Sequence, residues 1–144
     1  MRGLFQAWPF WAAVSATFAA LTAIFAKLGL EDVNSDLATF LRTLVIAAVL
    51  GALLTGLGEW RPLGSIPPRA YLFLALSGLA TGASWLCYFR ALQLGPAGRV
   101  APVDKLSVVL VALFGVAFLG ERLTSANWLG VALIAAGAVL VAID

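Results

Sequence analysis

Histidine is absent from this 144-residue chain, and cysteine occurs once, at Cys87. Disulfide frameworks and Cys/His metal sites are thereby excluded within one chain. Charge is scarce as well. Asp, Glu, Lys and Arg make up 11% of residues, against about 25% in a soluble domain. The net charge of +2 comes from scattered arginines and lysines. With no basic block, nothing suggests nucleic acid. Paired catalytic acids are missing too. Asp104 lies in an apolar run with no second acid there to form a dyad. These absences argue against an enzyme and imply no cofactor.

What the chain does hold is apolar surface. Hydrophobic residues make up 62%, and the mean hydropathy is +1.02. That is the composition of an all-α, multi-pass membrane protein. Crossing the hydrocarbon core takes about 20 mostly apolar residues as helix. Five runs qualify: 8–28, 37–57, 70–94, 100–119 and 126–143. The first is too long for a cleaved signal peptide, and no soluble domain follows it. Residues 1–144 are therefore read as a single transmembrane domain.

The breaks between runs have chemical causes. Gly29 ends the first, and an acidic loop, 31–36, follows it. Ser35 or Asp36 is the expected cap of the second run. Pro62, Gly64, Pro67 and Pro68 forbid helix in the linker 59–69. Residues 95–99 read as a tight turn, and 120–125 as another.

Loop cations set orientation. Arg2, Arg61, Arg69 and Arg122 share the N-terminal side, while Lys27 and Arg99 share the other. That balance favours a cytoplasmic N-terminus. Trp8, Trp11, Trp60, Tyr71 and Trp128 also fall on the N-terminal side, as an interfacial belt does.

The charges inside the runs are the informative residues. A charge at bilayer depth costs roughly 2.5–3.5 kcal/mol on insertion scales. At about 1.5 Å per residue, Arg42 sits about 9 Å into its run, Arg90 about 6 Å from the end of its own, and Asp104–Lys105 roughly 6–10 Å in. Because the runs alternate in direction, these residues and Lys27 all lie toward the face opposite the N-terminus. Long basic side chains reach the interface by snorkelling. Asp104 is too short to do so, and its expected partner is Arg42 or Arg90, since adjacent Lys105 points about 100° away on the helix. The excess of basic groups suggests either an anionic ligand or a partner in the loop 31–36.

Ser77, Thr81, Ser84 and Tyr88 recur at helical spacing, bordered by Trp85. That face reads either as interhelical hydrogen bonding or as a polar pathway toward Arg90 and Asp104. Gly78 and Gly82 allow close helix approach beside it. Ser15, Thr17 and Thr22 can line the same interior or bond their own backbone. Gly130 and Gly137 form a small-residue stripe on the last run, a candidate subunit contact.

Residues 119–124 (Leu-Gly-Glu-Arg-Leu-Thr), then Gly130, Leu133, Ile134 and Gly137, resemble the end of an EamA-type repeat of the drug/metabolite transporter superfamily. Residues 90–102 resemble that family's passage from third to fourth helix. The resemblance implies one five-helix transport repeat at a prokaryotic inner membrane. Typical members carry two inverted repeats, so a lone repeat is expected to pair, most simply as a homodimer, parallel or antiparallel. It further implies a secondary transporter of small metabolites, with Glu121 ending the fourth helix at the cytoplasmic side. Asp104 is then the ion-pair or coupling residue, and Arg42, Arg90 and Lys105 hold an anionic group of the substrate or exchange partners between states. Trp85, Tyr88, Ser84, Thr81 and Ser77 line the route. Small multidrug exporters of the superfamily use an acid in their first helix, and the first run here has none. A non-transporting accessory subunit or lipid-handling protein is the alternative reading.

Overall fold

The computed structural model describes residues 7–143, so Arg2 of the orientation argument lies outside them. Among the described residues the regular structure is helical. The elements are α1 (Trp8–Gly29), α2 (Ser35–Leu57), a 3-10 turn (Leu63–Ser65), α3 (Pro68–Leu94), α4 (Ala97–Asp104), α5 (Ser107–Leu119) and α6 (Ser125–Ala142). They supply five spans long and apolar enough to cross a bilayer, α4 and α5 together forming one of them.

Local chemistry explains the ends. Asn34, not Ser35 or Asp36, caps α2. Its side-chain oxygen accepts from the backbone N–H of Asp36 (2.8 Å) and Leu37 (3.4 Å), two donors that the first helical turn leaves unpaired. Gly58 closes α2 at φ +66, a left-handed conformation that suits glycine. Pro68 opens α3 two residues earlier than the composition suggests. At the first helical position its missing N–H removes no bond.

The fourth span departs most from the sequence reading. It begins at Ala97, so Gly98 and Arg99 are helical rather than part of a turn. It then divides at Lys105–Leu106. Pro102 has no N–H to give the carbonyl of Gly98. Just beyond, the N–H of Leu106 bonds the carbonyl of Val103 at 3.0 Å, and the N–H of Val108 bonds that of Lys105 at 3.0 Å. These are three-residue bonds, tighter than α-helical ones.

By contacts the chain forms two compact units, Ala26–Gln93 and the described parts of Met1–Phe25 with Leu94–Asp144. In the second of these, α6 packs closely on α4 and α5. The inward side of α6 carries half-buried Val131 and Ala135 and buried Ala138. The glycine stripe does not make this contact, because a Cβ added at Gly130 or Gly137 would meet nothing within 4 Å. Gly115 is the crowded glycine. Glu121 folds back from the turn at Gly120, and its carboxylate oxygen would lie 2.5 Å from a Cβ there.

In the unit Ala26–Gln93, α2 and α3 are tied at one end. Leu30, Ser35, Phe89 and Leu92 are each buried there. The Lys27 ammonium donates to the carbonyl of Leu92 at 2.6 Å, and the Gln93 amide donates to the carbonyl of Val33 at 3.0 Å. Leu92 belongs to the last turn of α3, whose carbonyls lack intrahelical donors. Lys27 therefore caps a helix and does not simply snorkel.

Candidate functional site

Away from that tied end, α2 and α3 enclose a groove of about 420 Å³. Thr39, Thr43 and Ile46 line it from α2, and Leu74, Ser77, Gly78, Thr81, Gly82 and Trp85 line it from α3. Three hydroxyls here donate to carbonyls of their own helix at 2.8 Å: Thr39 to Ser35, Thr43 to Thr39, and Thr81 to Ser77. In a helical span this satisfies the hydroxyl proton without a second helix. A Cβ at Gly78 or Gly82 would meet nothing within 4 Å. These glycines therefore widen the groove and do not bring helices together.

The charged member of the groove region is Arg42. Its guanidinium lies over the Trp85 ring, 2.8 Å from the centroid, and 5.4 Å from the centroid of Phe89. Trp85 and Phe89 are one turn apart and stacked, at 6.2 Å and 19°. Tyr88 acts electrostatically on the same guanidinium. Guanidinium is planar and more weakly hydrated than ammonium, so it tolerates such a seat. A desolvated cation–π contact is worth about 2 kcal/mol, comparable to the insertion penalty of roughly 2.5–3.5 kcal/mol for an arginine at bilayer depth.

The expected residues therefore divide. Arg42, Trp85 and Tyr88 come together, and Ser77 and Thr81 line the adjoining groove. Ser84 and Arg90 are exposed and do not line it. The α3 face in use runs Ser77–Thr81–Trp85, at spacings of four. Thr17 bonds its own helix, donating to the carbonyl of Ala13 at 3.1 Å. The sequence reading missed Thr39, Thr43 and Phe89. Thr39, Arg42 and Thr43 share a helical face, and that spacing was the available signal.

Asp104 and Lys105 lie in the other unit, at the break between α4 and α5. The Asp104 carboxylate pairs with the Lys105 ammonium at 3.2 Å. Lys105, set aside as a partner on helix geometry, is therefore in contact with Asp104. The 100° argument assumed a regular helix, and Lys105 stands just past the end of α4, where a long, flexible stem can turn back. Counted from Ala97, the pair lies about 11–12 Å into the span.

The EamA-like transporter family matches residues 6–143. The chain belongs to this family. A relative from Sinorhizobium sp, named an uncharacterized transporter in the cobO 3' region, is 64% identical over 138 residues, covering 96% of this chain and 98% of its own length. An uncharacterized transporter of Vibrio cholerae serotype O1 is 33% identical over 92 residues, covering 62% of this chain and 30% of its own length. No solved structure matches. With five apolar spans, this EamA-family chain is an integral, multi-pass membrane protein of transporter type.

Proposed function

We propose that the chain is a secondary transporter of small metabolites that works as a homodimer by alternating access, with the α2–α3 groove as the substrate route. The carrying observation is the Arg42 guanidinium seated on Trp85 beside a hydroxyl-lined groove within membrane spans. A span that holds a cation and several hydroxyls at one place has a polar task there. The Vibrio relative supports pairing. This chain's match covers 30% of it, which leaves room for a second repeat, and inverted repeats meet around a midplane site.

In this reading the N-terminus is cytoplasmic and the host membrane is a bacterial inner membrane, in keeping with the bacterial relatives. Asp104 and Lys105 form the coupling pair, sited where the fourth span is broken. Broken spans are where transporters place ion and substrate contacts. Arg42→Ala should lower flux in proteoliposomes by about 100-fold, the loss of one charge-assisted contact at roughly 2.7 kcal/mol. Asp104→Asn should do the same to coupled flux while leaving protein in the membrane at normal levels. Normal transport by both variants would refute these assignments. Absence of flux across a broad solute panel, with a second protein co-purifying, would favour an accessory role. Cross-linking of tagged copies tests the dimer, and terminus accessibility in intact cells tests its orientation.

A further inference from the structure

We infer that the turn leaving α2 holds one phospholipid headgroup that carries both a phosphate and a primary ammonium, supplied by an aminophospholipid of the surrounding bilayer.

Depth comes first. With 23 residues, α2 is about 34 Å long, slightly more than the hydrocarbon core of about 30 Å. The residues just past its C-terminus therefore stand at headgroup level. There Gly58, Glu59, Trp60 and Arg61 line an open hollow of about 480 Å³, with a wall more polar than apolar. Small-molecule sites run from about 300 to 1,000 Å³, so the hollow has room for a headgroup.

Glu59, Trp60 and Arg61 are each held by a separate device. The Glu59 N–H bonds the carbonyl of Leu54 at 3.0 Å, part of the left-handed cap at Gly58. The Trp60 indole donates to the Thr55 hydroxyl at 3.0 Å, and that hydroxyl donates to the carbonyl of Gly51 at 2.8 Å. The ring is thereby pinned to the end of α2. Arg61 precedes Pro62, which confines its backbone to extended conformations. A site held in this way loses little freedom when a ligand arrives.

The charges select the ligand. Glu59 and Arg61 flank Trp60, both exposed, and among the described residues neither is in an ion pair. A carboxylate only accepts hydrogen bonds, and a guanidinium only donates them. One ligand meets both if it carries an oxyanion and an N–H-bearing cation a few atoms apart. Phosphate oxygens match the guanidinium fork, and a primary ammonium brings N–H donors to Glu59. A choline headgroup has the phosphate but no N–H. A glycerol headgroup has hydroxyl donors but no cation to meet the carboxylate. Trp60 suits the same depth, where an amphipathic ring lies between acyl chains and water.

Native mass spectrometry of the full chain tests this, from nanodiscs with equal parts of phosphatidylethanolamine, phosphatidylcholine and phosphatidylglycerol of the same acyl chains. Phosphatidylethanolamine should stay bound in about tenfold excess over either of the others, the contribution of one charge-assisted hydrogen bond. Glu59→Ala should bring it down to the level of phosphatidylcholine. Arg61→Gln should lower retention of all three by about tenfold, and Arg61→Lys should keep part of it. Arg69, over the Phe73 ring and outside the hollow, is the control, and Arg69→Gln should change nothing. Soluble phosphoethanolamine in excess should leave the lipid in place. Its displacing the lipid would overturn the assignment to a bilayer component. Equal retention of the three lipids, a preference for phosphatidylglycerol, or an equal loss from Arg69→Gln would overturn the inference as a whole.

Discussion

The pair α2–α3 and the trio α4–α6 solve the same problem in opposite ways. In the trio, helices approach closely through small side chains, with Ala138 buried against its neighbours. In the pair, the helices are tied at one end and held apart beyond it, with Arg42 reaching across to Trp85. Without water to drive helices together, packing and interhelical polar contacts must do it. Small residues supply the first in the trio. In the pair a cation on an aromatic supplies the second, and the space left open is the groove. The difference teaches where substitution should be tolerated. The trio cannot accept bulk, whereas the pair can accept it structurally but not functionally.

Three substitutions press on that contrast. The largest effect belongs to Gly82→Leu. The added side chain enters open groove space, so proteoliposome flux should fall by about 200-fold or more, a barrier increase of at least about 3 kcal/mol. Folding should be unharmed, because replacing a mid-helix glycine usually gains roughly 0.5–1 kcal/mol. A drop in thermal stability matching the drop in flux would break the distinction. Next comes Lys27→Met. Hydrogen bonds to charged groups contribute about 1.5–3 kcal/mol, and losing this one should lower the unfolding midpoint and loosen the tied end. Hydrogen exchange should quicken near Leu92 and Val33 before it quickens in α6. The smallest effect is expected of Ala138→Leu, at about 1–3 kcal/mol of overpacking, read as a lower melting temperature with flux per folded molecule unchanged. Gly137→Leu, one residue away on an exposed face, is its control and should be near neutral.

The five spans were legible because a run of about 20 apolar residues has few other uses. The division of the fourth was not, although Pro102 was its signal. A proline near a helix start is often harmless, and its effect here appears three residues later, where the backbone tightens at Leu106. Arg42 and Trp85 were identifiable as residues that a lipid-facing helix does not need. Their stacking was not, because periodicity gives faces within one helix and not the partner across a gap. Thr39 and Thr43 were legible from their spacing around Arg42 on one helical face, but that they line a groove with α3 was not. Lys105 was set aside as a partner of Asp104 because regular helix geometry was applied at a place where the helix is irregular.

The Lys27–Leu92 contact has one more consequence. It fixes one end of α3 beside the end of α1 and leaves the other joined to α2 by the proline-bearing linker. Such an arrangement is a lever with its fulcrum at one end. With 27 residues, α3 is about 40 Å long, and a swing of about 5° about the fulcrum carries its far end about 3.5 Å. The Ser77 end of the groove then travels farther than the Trp85 end. A swing that leaves the arginine seated on Trp85 would therefore change the width of the groove most at its Ser77 end.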